Sequence, residues 1–165
     1  MRAAILTLSD KGSRGERVDE SGPALAAWLA ERGVPTVLSL VIADDFEHIT
    51  AMLTEWADAD AAELILTTGG TGVSPRDITP EATLKVVDRV IPGLGELMRL
   101  KSMEKTTMAA LSRAVAGIRG QSLIINLPGS PKAALENLEA VWPTLSHAVE
   151  KIRGGQEDCG GRFSK

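Results

Sequence analysis

Two aspartates and two glycine turns carry the chemistry open to this sequence. Gly69, Gly70 and Gly72 follow the apolar run Leu64-Ile65-Leu66 and the pair Thr67-Thr68, and Asp77 stands five positions beyond Gly72. Glycines so placed remove the Cβ atoms that hold a ligand off the backbone, so consecutive N–H groups can turn toward an anion. Thr68 and Thr71 belong to the same turn. A carboxylate shortly after it can hold a metal ion against a bound phosphate, and Mg2+ takes one or two carboxylates together with phosphate oxygens. Asp44, at the end of another apolar run, is the second candidate. Each aspartate also has a structural alternative. Ser74-Pro75-Arg76-Asp77 matches the S-x-x-D capping box, and Asp44-Asp45-Phe46-Glu47 matches D-x-x-E.

The glycine turn is not a common nucleotide loop. A P-loop needs Lys-Ser or Lys-Thr after its last glycine, and Gly72 is followed by Val73-Ser74. The dinucleotide fingerprint needs a third glycine where Pro75 stands. A second turn, Asn126-Leu127-Pro128-Gly129-Ser130-Pro131-Lys132, repeats the same logic: a strand end, a turn, Ser130 as N-cap and Pro131 at the first helical position. Lys132 falls in a first helical turn, where the dipole disfavours cations, so it is either a solvated surface lysine or the partner of a bound phosphate. Ser9 and Asp10 open a further loop after the first apolar run. His48 and His147 lack ligand spacing.

The elements that must position these residues alternate. Ala3 to Leu8 reads as a buried strand, and Gly22-Pro23 starts a helix with Leu25, Trp28 and Leu29 on its inner stripe and Gly33 past its end. Val37 to Ile42 is a strand. Phe46, Ile49, Leu53 and Trp56 recur at helical spacing. After the strand at Leu64, Thr79 is the expected N-cap of a proline-started helix burying Leu84, Val86 and Val87. A helix from Pro92 carries Leu94, Leu97 and Met98, a stripe suited to core or interface. Ala114 to Ile118 and Leu123 to Leu127 form a hairpin through Arg119-Gly120-Gln121. A long final helix contains Pro143, which is expected to kink or split it. The fold class is therefore α/β, one three-layer α/β/α domain with a mostly parallel sheet plus an antiparallel hairpin. The domain spans 1–153, and 154–165 reads as a weakly ordered tail.

Composition narrows the function classes. The 165 residues are 44% apolar and 24% charged, ordinary for one globular domain. A net charge of −4 gives no long-range attraction for nucleic acid or anionic membranes. Cys159 is the only cysteine, which excludes an intrachain disulfide and fits a reducing cytosol. The first apolar run is too short for a signal peptide or membrane span, so a cytoplasmic location is expected.

The longer pattern resembles the molybdenum-cofactor biosynthesis family that includes Mog, MoaB and the gephyrin G domain. The similarity rests on Thr67-Thr68-Gly69-Gly70-Thr71-Gly72, Arg76-Asp77-Ile78-Thr79-Pro80-Glu81-Ala82-Thr83, Pro92-Gly93-Leu94-Gly95-Glu96-Leu97-Met98-Arg99, Ala110-Leu111-Ser112-Arg113 and Asn126 to Ala133. It implies a molybdopterin-binding-like fold and adenylyl transfer, in which the molybdopterin phosphate attacks the α-phosphate of ATP and pyrophosphate leaves. It places Asp44 and Asp77 around Mg2+ and the nucleotide. The turn Thr68 to Gly72 falls on the nucleotide side, and Ser112, Asn126, Ser130 and Lys132, with Pro128 and Gly129, on the pterin side. Ser9 and Asp10 edge either site. A homotrimer is implied, and the molybdate-inserting enzyme of the pathway is a candidate partner. The alternatives from other classes are a non-catalytic molybdopterin carrier or scaffold and a GTP-type switch, the latter opposed by the missing Walker lysine.

Overall fold

Alternate residues of the central strands feed two separate cores, and this sets the architecture. The computed structural model describes residues 1–155, so the expected tail lies outside the described residues from Gln156 on, Cys159 included. In chain order the elements are β1 (Ala3–Leu8), α1 (Asp10–Ser13), α2 (Ser21–Ala30), β2 (Thr36–Ile42), α3 (Phe46–Asp58), β3 (Leu64–Thr68), α4 (Thr79–Val86), β4 (Arg89–Val90), α5 (Pro92–Met103), a 3-10 turn (Thr107–Leu111), β5 (Ala116–Arg119), β6 (Ser122–Leu127) and α6 (Pro131–Ile152). Ile5, Leu64, Leu66, Leu123, Ile125 and Leu127 meet α2, α5 and α6 on one face. Leu6, Ile65 and Ile124 meet α3 and α4 on the other. Each buried Leu or Ile contributes ~1.5–3 kcal/mol. These two cores hold the sheet, and the turns at its edge are left free for other work.

The six strands run in the order β2-β1-β3-β6-β5-β4. β2, β1, β3 and β6 are parallel to one another, and β5 is antiparallel to both of its neighbours. From β1 the chain steps outward to β2 through α2, then back across β1 to β3 through α3. Right-handed crossovers in opposite directions put α2 and α3 on opposite faces. A crevice opens at the C-terminal ends of β1 and β3, where open α/β sheets bind ligands. Ser9 and Gly69 follow directly on those two ends.

Several local expectations are corrected. The loop after β1 contains the short helix α1, capped by Ser9, whose Oγ accepts from the Gly12 N–H at 3.0 Å. Thr79 is the first residue inside α4 rather than its cap, and its buried hydroxyl donates to the Gly69 carbonyl at 2.9 Å. Ala82, Thr83 and Val86 form the inner face of α4, while Leu84 is exposed. The helix through Pro143 runs on as one element of 22 residues. The carbonyl that Pro143 leaves unbonded belongs to Glu139, an exposed residue within reach of water, while Val141, Leu145 and Val149 anchor both halves to the core. The hairpin turns through Gly120-Gln121 alone, and only Gly120 has positive φ, +53°, the II′ pattern. β4 and the 3-10 turn have no counterpart in the sequence reading, since two-residue strands and single turns leave no periodicity to read.

Asn126, expected to meet the pterin, is fully buried within β6. Its Nδ2 donates to Thr67 Oγ1 at 3.0 Å and to Thr83 Oγ1 at 2.8 Å, and its Oδ1 accepts from the Val115 N–H at 3.3 Å. The amide ties β6 to β3, to α4 and to the chain entering β5, and no polar atom of its side chain is left to face a ligand. Removing it strands two buried hydroxyls, of Thr67 and Thr83, and the part-buried Val115 N–H. Asn126→Ala should therefore lower unfolding free energy by ~2–3 kcal/mol in urea melts while leaving nucleotide affinity of the folded fraction unchanged. A variant of parental stability that has lost ligand affinity would return Asn126 to the site.

Candidate functional site

The crevice beyond β1 and β3 is a cleft of about 430 Å3. It gathers Ser9, Asp10, Asp44, Thr68, Gly69, Gly70, Asp77, Gly129 and Ser130, residues from five separate stretches of sequence. A second hollow of about 360 Å3 lies beside it, lined by Thr71, Gly72, Ser112 and Pro128 together with Arg99, Lys105, Met108, Leu111 and Asn137. The glycine turn is thus the wall between the two. Lys132 lines neither, but its neighbours Pro131 and Ala133 line the first and the second respectively, and Lys132 itself is exposed.

Close approach explains the glycines. Gly69 has φ +106°, and a Cβ there would lie 2.4 Å from the Leu8 carbonyl oxygen. At Gly70, with φ +62°, a Cβ would lie 2.3 Å from Thr79 Oγ1 and 2.9 Å from Asp44 Oδ1. The Gly69 N–H is bonded to the Leu127 carbonyl at 3.1 Å, which fixes the turn to β6. Among the described residues the N–H groups of Gly70, Thr71 and Gly72 donate to no protein acceptor. Three consecutive free donors at a strand end could serve a bound anion.

The carboxylates are arranged around this turn with distinct roles. Asp45, not Asp44, caps α3, accepting from the His48 N–H at 2.8 Å. Asp44 is left to the cleft, where its Oδ2 accepts from the Asp10 N–H at 3.1 Å and its own N–H donates to Asp10 Oδ1 at 3.1 Å. Burial pushes the Asp44 carboxyl above the ordinary carboxylate range, the Asp10 N–H partly opposes this, and the charges of Asp10 and Asp77 add to it. Asp10 is held low by the Arg76 guanidinium, which grips it with two bonds of 3.0 and 2.7 Å. Asp77 does make the box-like contact, accepting from the Ser74 N–H at 2.8 Å, but it closes a loop rather than a helix end. Its Oδ2 lies 2.9 Å from the point a Gly72 Cβ would occupy. Among the described residues no three Asp, Glu, His or Cys side chains converge as a metal cluster. A pair of cleft-facing carboxylates, one of them costly to ionise when alone, suits a divalent cation that arrives with phosphate oxygens of its own.

Three residues of this region are not singled out by the sequence. Asp19 accepts from the Ser21 and Gly22 N–H groups at 3.0 and 3.1 Å and from Thr7 Oγ1 at 2.8 Å, setting the start of α2 at the cleft wall. A carboxylate two residues before Ser-Gly-Pro is a readable signal of that role. Arg76 stands inside a motif that gives it no role, and Arg113 finds its side-chain partners 32 to 41 residues away, beyond any local pattern.

Comparison with known proteins identifies the family. The family described as "Probable molybdopterin binding domain" matches residues 4–147. The molybdopterin adenylyltransferase of Helicobacter pylori strain J99 is 45% identical over 152 residues, 91% of this chain and 86% of that protein. The molybdopterin adenylyltransferase of Escherichia coli K12 is 44% identical, with 90% and 77% covered. The crystal structure of the molybdopterin biosynthesis enzyme MoaB from Thermus thermophilus superposes with a TM-score of 0.87 at 53% identity, covering 93% of this chain and 96% of that one. Gephyrin of Dictyostelium discoideum is 44% identical over a region that is 22% of its own length. With the fold and nearly the whole length in agreement, the chain belongs to the molybdopterin binding domain family of molybdenum cofactor biosynthesis.

Proposed function

We propose that this protein is a molybdopterin adenylyltransferase, joining AMP from ATP to the molybdopterin phosphate with release of pyrophosphate. The observation that carries the reading is the shared wall: two adjoining hollows meet at a turn whose Gly70, Thr71 and Gly72 N–H groups are unclaimed by the protein. Two phosphate-bearing substrates held on either side bring their phosphates to one set of donors. The acidic cleft takes the nucleotide, with Ser9, Asp10, Thr68, Gly69, Gly70, Gly129 and Ser130 around it. The second hollow, with Thr71, Gly72, Ser112 and Pro128, takes the pterin, and its largely apolar lining suits a flat ring.

In this reading a molybdopterin phosphate oxygen forms a bond to the α-phosphorus of ATP as the bond to the β-phosphate bridging oxygen breaks. Negative charge accumulates on the α-phosphate oxygens, where fixed N–H donors stabilise it without reorganising. Lys132, whose neighbours Pro131 and Ala133 line the two hollows, would add a positive charge if its exposed side chain turns to the phosphates. Asp44 and Asp77 would hold Mg2+, which supplies charge neutralisation between the two anions. Arg76 keeps Asp10 ionised and offsets part of its charge beside Asp44. Among the described residues no helix is long and apolar enough to cross a membrane. A cytoplasmic enzyme is the reading that the lone cysteine supports, since a reducing compartment keeps such a thiol unpaired. Leu94 and Met98 are consumed by the core, whereas Leu100, Met103, Met108 and Leu111 remain exposed and offer the surface for a homotrimer. The molybdate-inserting enzyme would be the consumer of the product.

Asp44→Asn tests the site. The amide oxygen can keep the bond from the Asp10 N–H, so melting temperature should stay level or rise while Mg2+-ATP-dependent turnover falls by roughly 10²-fold or more. The sign follows from the raised pKa. Folding favours the protonated carboxyl more than the unfolded chain does, so this stabilisation is complete below the unfolded pKa and lost as pH rises through the folded one. The variant's stability advantage should therefore grow with pH in acid and level off above the folded pKa. Affinity for Mg2+-ATP in the parent should weaken on acidification at a higher pH than an ordinary aspartate would give. Equal turnover in the two proteins would remove Asp44 from the metal.

Lys132→Ala separates the two substrates. Losing one charge-assisted contact should weaken molybdopterin binding by ~1–3 kcal/mol, with melting temperature unchanged or slightly higher because a cation leaves the start of α6. Titration calorimetry with molybdopterin and, separately, with Mg2+-ATP reads this directly. Impaired ATP binding with intact pterin binding would reverse the assignment of the hollows.

A further inference from the structure

The turn that separates the two hollows is held from outside by one side chain. Arg113 donates Nε–H to the Gly72 carbonyl at 2.6 Å, Nη2–H to the Asp77 carbonyl, and Nη1–H to Glu81 in the first turn of α4. Its backbone N–H donates to the Thr71 carbonyl at 2.9 Å. One residue thereby fixes both ends of the stretch from Thr71 to Asp77, which belongs to no helix or strand. It also joins this stretch to the chain leading into β5, beside Ser112 of the second hollow.

The planar guanidinium matters here. Its fork presents N–H groups in fixed relative directions, so satisfying two carbonyls and a carboxylate at once sets their spacing. A lysine in its place is a point donor able to keep Glu81 or one carbonyl, but not the set. With the carbonyls of Gly72 and Asp77 drawn toward Arg113, the N–H groups of Gly70, Thr71 and Gly72 are left without a protein acceptor, and the Asp77 carboxylate is set at the acidic cleft. We infer that Arg113 is a positioning residue that holds the glycine turn and Asp77 in register with each other. It touches neither substrate and acts through the Thr71–Asp77 stretch. The inference rests on the proposed adenylyl transfer.

The pair Arg113→Lys and Glu81→Gln tests it. Glu81→Gln removes the carboxylate partner but leaves both carbonyl contacts, and should keep turnover within about twofold of the parent. Arg113→Lys should reduce kcat by roughly 10- to 100-fold, the scale expected when reacting groups lose alignment. It should also raise the Mg2+ concentration needed for half-saturation of ATP binding, measured by calorimetry without turnover. Amide hydrogen exchange should quicken at Ser74, Asp77 and Arg113, whose N–H groups are bonded within this junction, while amides of β3 keep their protection. A purely structural role predicts something else: a lower melting temperature, faster exchange in β3 as well, and unchanged Mg2+ dependence in the folded protein. That outcome overturns the inference, as does Glu81→Gln matching Arg113→Lys in every readout. Should the parent protein fail to turn over molybdopterin and ATP, the underlying reading falls instead. The calorimetric and exchange results still decide whether Arg113 sets the geometry of the turn.

Discussion

Everything at the ligand end of this sheet depends on how closely β1, β3 and β6 bring their ends together. There is no room for a side chain between Gly69 and the Leu8 carbonyl, nor between Gly70 and the pair Thr79 and Asp44. That lack of room is useful. It lets the Thr79 hydroxyl reach the Gly69 carbonyl, docks α4 against the turn, and leaves the backbone itself as the surface that a ligand meets. A single methyl group would separate three elements at once. The two cores on either face of the sheet supply the stability against which such a crowded, hydrogen-bond-poor junction can be held.

The electrostatics of the cleft follow from the same crowding. Asp10 and Asp44 exchange backbone-to-carboxylate bonds because the ends of β1 and β2 lie side by side. This leaves two carboxylates close together with one external arginine. Arg76 settles on Asp10, the more exposed of the pair, and Asp44 carries the burden of desolvation. An arrangement of this kind is poor for stability and good for binding a cation, since the cation relieves a penalty already present in the free protein.

How much of this is legible in the sequence varies with the range of the interactions. The strands at Ala3, Leu64 and Leu123 and the helices at Phe46 and Pro131 are legible because their apolar periodicity spans several residues. The glycine turn, Asp44 and Asp77 are legible as site candidates because glycine spacing and strand-end carboxylates are local. Asn126 misleads for a related reason. It sits in a motif that looks like a loop start, yet its side chain points into the layer between β3, β6 and α4, and which face a strand residue takes at a strand end depends on register. The hold of Arg113 on the turn is invisible, since it arises only when the chain before β5 folds against a loop some forty residues earlier.

The place of β6 has a consequence for how such a chain is made. β6 lies at the middle of the sheet, between β3 and β5, yet among the described strands it comes last in chain order. Until it arrives, the nascent chain carries β3 with one edge paired to β1 and the other open, an apolar strand with unsatisfied backbone groups. The Gly69 N–H has no Leu127 carbonyl to bind, and the face that α6 will cover is bare. Synthesis from the N-terminus therefore passes through a sticky stage in which the cleft lacks its Gly129 to Pro131 side. The stretch from β6 through α6 then closes the sheet and covers the core, which makes this fold a poor candidate for splitting into independently folding halves.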